Sequence, residues 1–102
     1  MALRLFHRTS AETAEAILKS GFKDGTGSYL TAQEYSGVWL SDVPLDPNEG
    51  AFGDILLEVM LNVPEQELEQ FEWKEEGKGY REWLVPALLI NSKAVVRIVA
   101  EE

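Results

Sequence analysis

Leu3, Leu5 and His7 alternate with Arg4, Phe6 and Arg8, a period of two that predicts a short opening strand with His7 near its end. Thr9 or Ser10 is then placed to cap a helix. Ala11, Ala14, Ile17 and Leu18 would share one helical face, Glu12 and Glu15 suit the positive N-terminal end, and Gly21 is positioned to stop the helix. The stretch KDGTGSYLTAQEYSG that follows is rich in Gly, Ser and Thr and reads mostly as an irregular loop. Val38, Trp39 and Leu40 form a short strand ending at Ser41 and Asp42, and DVPLDPNEGAFGD, with two prolines and two glycines, reads as a second loop.

The clearest strand runs from Asp54 to Leu61. Ile55, Leu57, Val59 and Leu61 share one face and Leu56, Glu58 and Met60 the other, so both faces are largely apolar and the strand is expected inside a sheet. Pro64 fits the first turn of a short helix through Phe71. A polar turn around Lys74 to Gly79, a strand from about Tyr80 to Val85 and a last strand from Ala94 to Val99 complete the pattern. Strands outnumber helices and are joined mainly by loops, which points to an α+β fold with a mixed or antiparallel sheet rather than a doubly wound one. No internal repeat and no linker divides the chain, so residues 1–102 are expected to be one domain.

Composition narrows the chemistry. Hydrophobic residues make up 45% of the 102, enough for a core without staples, and cysteine is absent, which removes disulfides, thiolate nucleophiles and cysteine-held metal centres. Asp24, Asp42 and Asp46 do not have the spacing of a calcium loop, and no metal site is assigned. The formal net charge is −9 and the nine basic residues are scattered singly, so nucleic acid is disfavoured as a partner. No apolar run approaches the roughly 20 residues of a membrane span, and a cytoplasmic location is expected. The acidic run EQELEQFEWKEEGK reads as a solvated helix and turn, with docking of a basic protein as its functional alternative. Oligomeric state leaves no mark in the sequence.

Three residues stand out, each with two readings. His7 precedes a helix N-terminus and is either a ligand-binding group or a lone histidine bonded to a neighbouring carbonyl. Trp39 is either a core residue or a stacking surface. Glu82, in YREWLVP, is a carboxylate in an otherwise buriable strand, with either a task or an edge position facing water.

Their order is informative. The run FHRTS before a helix that ends at Gly-Phe, the strand SGVWLSD, the strand GDILLEVML and the strand GYREWLVPALLI together resemble the ADP-ribosyltransferase superfamily, in particular its poly(ADP-ribose) polymerase-like branch, over about Leu5 to Ile98. His7 matches that branch's histidine, Trp39 takes the place of its tyrosine, Asp42 matches the aspartate closing the same strand, and Glu82 falls at its glutamate with Tyr80 two residues before it.

The resemblance implies a compact fold with a split sheet and one or two short helices, and NAD as co-substrate without a metal. His7 would bond the adenosine ribose and the backbone of Arg8 the nicotinamide carboxamide. Trp39, with Phe52 or Tyr29, would stack on the nicotinamide ring, and Thr9 would add a hydroxyl if it is not the helix cap. Glu82 would be the catalytic residue, stabilising positive charge on the ribose during transfer of one ADP-ribose to a protein or small-molecule acceptor. NAD hydrolysis, an RNA 2′-phosphotransferase-like activity and a non-catalytic binding module on the same fold are the alternatives.

Overall fold

A computed structural model describes residues 2–23, 25–28, 34–44, 53–73 and 79–99. Among these residues seven strands form one sheet: β1 (Leu3–Thr9), β2 (Gly25–Ser28), β3 (Glu34–Ser41), β4 (Ile55–Leu61), β5 (Glu72–Trp73), β6 (Glu82–Val85) and β7 (Ala94–Val99). The helices are α1 (Ala11–Ser20), α2 (Glu65–Leu68), which runs into a 3₁₀ turn at Glu69–Phe71, and α3 (Ala87–Lys93). The strand order is β5-β6-β3-β1-β4-β7, β2 adds to β3, and the paired strands run antiparallel. The class is α+β, with an antiparallel sheet.

The predicted elements that rest on clean alternation are present. β4 lies between β1 and β7, and Leu56, Leu57, Glu58 and Val59 are all buried, as an internal strand covered on both faces requires. One sheet face carries Leu5, Val38, Leu40, Leu57, Val59, Leu61, Trp83 and Val85, and these pack with Ala14 and Ile17 of α1, Leu68 of α2, and Ala87 and Ile90 of α3 into one core. Ser10, not Thr9, caps α1: its Oγ accepts from Thr13 N at 3.2 Å. Gly21 ends the helix at φ 89°, its N–H bonding Ile17 O at 2.7 Å.

Two stretches depart from the expectation. The segment read as an irregular loop contains a hairpin, in which Gly25 to Ser28 pair with Gly37 to Glu34. Its two glycines have poor strand propensity, and pairing with β3 overrides it. Gly37 also meets a close neighbour, since a Cβ there would lie 3.1 Å from Val85 O and 3.0 Å from Leu84 Cγ. Among the described residues there are three α-helices where one or two were expected. ALLI after Pro86 has no periodicity to read, yet Ala87 and Ile90, three apart, are buried while Leu88 is 79% exposed, so a helix face exists that the apolar run conceals.

The end of α1 is fastened to α3 by one side chain. Asn91 Oδ1 accepts from Phe22 N at 2.8 Å and Asn91 Nδ2 donates to Phe22 O at 2.9 Å, satisfying both backbone groups of a residue outside any ladder. On the sheet face opposite the helices, Glu58 is 2% exposed and bonded by two arginines, Arg4 Nε at 2.5 Å and Arg97 Nε at 2.6 Å. Arg4 also lies over the Phe6 ring, 4.9 Å from its centroid. The hydrogen bonds from Arg97 and Arg4 hold the Glu58 carboxyl below the usual glutamate range.

Two stability predictions follow from these fastenings. Asn91→Ala leaves both Phe22 backbone groups without their partner and costs about 1–3 kcal/mol in urea unfolding. Because Glu58 is more acidic folded than unfolded, its contribution is complete above its unfolded pKa and is lost as pH falls through the folded one. Chemical denaturation of Glu58→Gln across the acid range is therefore expected to show a flatter pH dependence than the parent, and an unchanged acid limb would refute the role given to the ion triad.

Candidate functional site

Strands β1 and β3 share a single paired position, Phe6 opposite Ser41, so the two halves of the sheet meet through a very short ladder. Beyond it the connection is made by side chains. His7 Nδ1 lies 2.8 Å from Trp39 O, and Ser41 Oγ lies 3.4 Å from Phe6 O while donating to Val43 O at 2.7 Å. Since a carbonyl only accepts, the Nδ1–H must be the donor, which places the lone pair of a neutral ring on Nε2.

The His7 ring packs edge-on against Phe22, with centroids 5.4 Å apart at 82°. Burial pushes its pKa below 6.5, partly opposed by the Trp39 carbonyl, which favours the charged form. The reading of His7 as a histidine bonded to a neighbouring carbonyl therefore describes its Nδ1. It leaves the role of Nε2 open.

Trp39 is not a core residue. It is 38% exposed, against 4% and 1% for its neighbours Val38 and Leu40, and its ring meets Trp73 at 5.4 Å and 65°. In the β3–β6 register Ser41 is opposite Glu82 and Trp39 opposite Leu84, and in β5–β6 Trp73 is opposite Glu82. Directly paired residues point to one side of a sheet, so Trp39, Trp73 and Glu82 share the face that does not carry the helices. Glu82 is half-buried there. Alternation along β1 puts His7 with Leu5 and opposite Leu57, on the helix-covered face, so His7 is joined to this cluster through the Trp39 backbone and not through the Glu82 side chain.

The remaining residues divide cleanly. Arg8 is half-buried, with Nη1 3.5 Å from Gly53 O, and Thr9 is buried opposite Ile55. Gly53, at φ 122°, lies against Thr9 so closely that a Cβ would come within 2.2 Å of the Thr9 carbonyl carbon. Asp42 closes β3, its Oδ1 accepting from Arg81 N at 2.9 Å and its own N–H donating to Arg81 O at 3.1 Å. Tyr29, Phe52, Asp24 and Asp46 lie outside the described residues, among which no group of three or more His, Asp or Glu side chains is placed to hold a metal.

Arg81, adjacent to Glu82, forks onto Glu72 at 3.0 and 2.8 Å, reaches Glu65 at 3.1 Å and lies over the Trp83 ring. The acidic run that suggested a basic partner thus binds an arginine of its own domain at two of its glutamates. Trp73 is the residue sequence reasoning missed. A lone tryptophan within that acidic run was the available signal, because a large ring is costly to leave wholly in water.

The fold and this arrangement define an α+β domain whose aromatic and carboxylate residues gather where β3, β5 and β6 meet. No protein family matches the chain, and neither a curated protein nor a solved structure matches it.

The histidine geometry gives a direct test. In NMR titration His7 should remain neutral at pH 7, protonated on Nδ1, and titrate below 6.5. Since the folded pKa is the lower one, the stability His7 contributes is complete above about 6.5 and falls as pH drops toward the folded value. A midpoint at or above 6.5 would contradict the dominance of burial, and an Nε2–H tautomer would contradict the Trp39 bond.

Proposed function

We propose that the protein transfers ADP-ribose from NAD to a protein or small-molecule acceptor. The observation that carries the proposal is the register that gives Trp39 and Glu82 one sheet face on adjoining strands, Trp73 beside both, with His7 tied to the Trp39 carbonyl. The sequence resemblance supplies the reaction, and the common face of Trp39 and Glu82 supports it, with His7 on the other side of the sheet and joined to them through the Trp39 carbonyl.

On this reading each residue has a limited task. His7, with its Nδ1–H occupied, offers Nε2 as an acceptor to a ribose hydroxyl. Trp39 and Trp73 provide aromatic surface against a cationic nicotinamide ring, where the π face favours positive charge. The Glu82 carboxylate stabilises the positive charge that develops on the ribose as the bond to nicotinamide breaks and its electron pair departs with the leaving group. It then orients the acceptor that forms the new bond at the same carbon. Water in the acceptor's place gives NAD hydrolysis from the same residues. An RNA 2′-phosphotransferase reading is the weaker one, because Arg81, one of the two arginines near the site in sequence, already pairs with Glu72 and Glu65.

The test is nicotinamide release from NAD, followed by chromatography with and without candidate acceptors, in the parent and in Glu82→Gln. The substitution is expected to lower the rate by about 10²–10³-fold, the usual loss when one transition-state stabilising group is removed, while NAD-induced shifts of the Trp39 indole persist. Absence of nicotinamide release by the parent at millimolar NAD would defeat the proposal and leave a binding module.

A further inference from the structure

β5 is too short to hold itself in place. It has two residues, Glu72 and Trp73, against the roughly three to ten of an ordinary strand, and among the described residues it pairs with β6 alone, at the end of the strand order. Yet it carries Trp73, whose ring meets Trp39 and which the register sets opposite Glu82. So short a ladder leaves the position of this ring to side chains.

Arg81 supplies the hold. Its main chain is fixed first, because Asp42 Oδ1 accepts from Arg81 N at 2.9 Å and Asp42 N donates to Arg81 O at 3.1 Å, tying the approach to β6 to the end of β3. From this stem the guanidinium passes over the Trp83 ring, 4.8 Å from its centroid, and forks onto both oxygens of Glu72 at 3.0 and 2.8 Å. A further arm reaches Glu65 at 3.1 Å. The two carboxylates differ in their need of it. The Glu65 side chain is 60% exposed, so that contact is a screened surface pair of little weight. The Glu72 side chain is 8% exposed, and a carboxylate so covered depends on a cation beside it. Glu72 lies opposite Trp83 on the helix-covered face, and its chain neighbour Trp73 points to the other face, so a shift of one moves the other.

We propose that Arg81 is a positioning residue for the candidate site: by neutralising Glu72 it fixes the register of β5, and so holds Trp73 against Trp39 and beside Glu82. For its effect on NAD, though not for the geometry, this rests on the function proposed above. Arg81 itself touches no part of NAD. Its influence passes through the Trp73 ring, which faces the cationic nicotinamide of the bound substrate. That contact is not strengthened as the bond to nicotinamide breaks, so its loss raises KM without lowering kcat.

The test compares the parent with Arg81→Met and Arg81→Met/Glu72→Leu by NMR. Nuclear Overhauser effects between the Trp39 and Trp73 rings, expected in the parent from centroids 5.4 Å apart, should be lost in Arg81→Met, while the amide signals of Leu57, Leu61 and Ile90 in the core stay in place. The double variant, which has no carboxylate left to neutralise, should recover them. Arg81→Gln serves the same comparison if Arg81→Met does not fold. In nicotinamide release the single variant is expected to show a KM for NAD raised about three- to tenfold with kcat within about twofold, and the double variant a KM near the parent's. Ring contacts unchanged in the single variant, or lost equally in both, would overturn the proposal, as would a lower kcat at unchanged KM. The ring contacts are read without NAD, so a parent that releases no nicotinamide defeats the reaction and still leaves the role of Arg81 decided.

Discussion

The carbonyl of Trp39 needs a donor where the β1–β3 ladder has shrunk to one pair, and the imidazole of His7 provides it. The imidazole thus serves the Trp39 carbonyl where no strand N–H does, and it braces the junction between the two halves of the sheet. The same bond fixes the tautomer, and burial against Phe22 keeps the ring neutral. Phe22 is in turn held by Asn91, so the C-terminal end of α1, α3 and the centre of the sheet are linked through His7. This bond uses one of the two ring nitrogens.

Charge is distributed by a related logic. Glu58 is buried on an internal strand and would be prohibitively costly alone, so two arginines from the flanking strands β1 and β7 neutralise it. Arg81 is likewise held by Glu72 and Glu65 while covering the Trp83 ring, and Asp42 closes the ladder beside it. These arginines brace the sheet from its faces.

Much of the fold was legible wherever a period could be read. Alternation fixed β4 as an internal strand and set β1 before α1, and the Ser–Gly signals bounded that helix within a residue or two. The hairpin of Gly25–Ser28 escaped because its strand is defined by a partner and not by its own residues. Helix α3 escaped because Ala87, Leu88, Leu89 and Ile90 are all apolar, and only packing tells which two are buried.

The sequence by itself determined the class, an α+β domain with its strands and first helix in place, and it marked His7, Trp39 and Glu82 as residues whose types call for a partner. Only the tertiary structure decided how they meet. Trp39 and Glu82 share a face because of strand register, Trp73 joins them through a two-residue edge strand, and His7 reaches Trp39 through a carbonyl. Register, strand order and the gap between β1 and β3 are properties of residues distant in the chain, set by the burial of two apolar faces at once, and no local pattern encodes them.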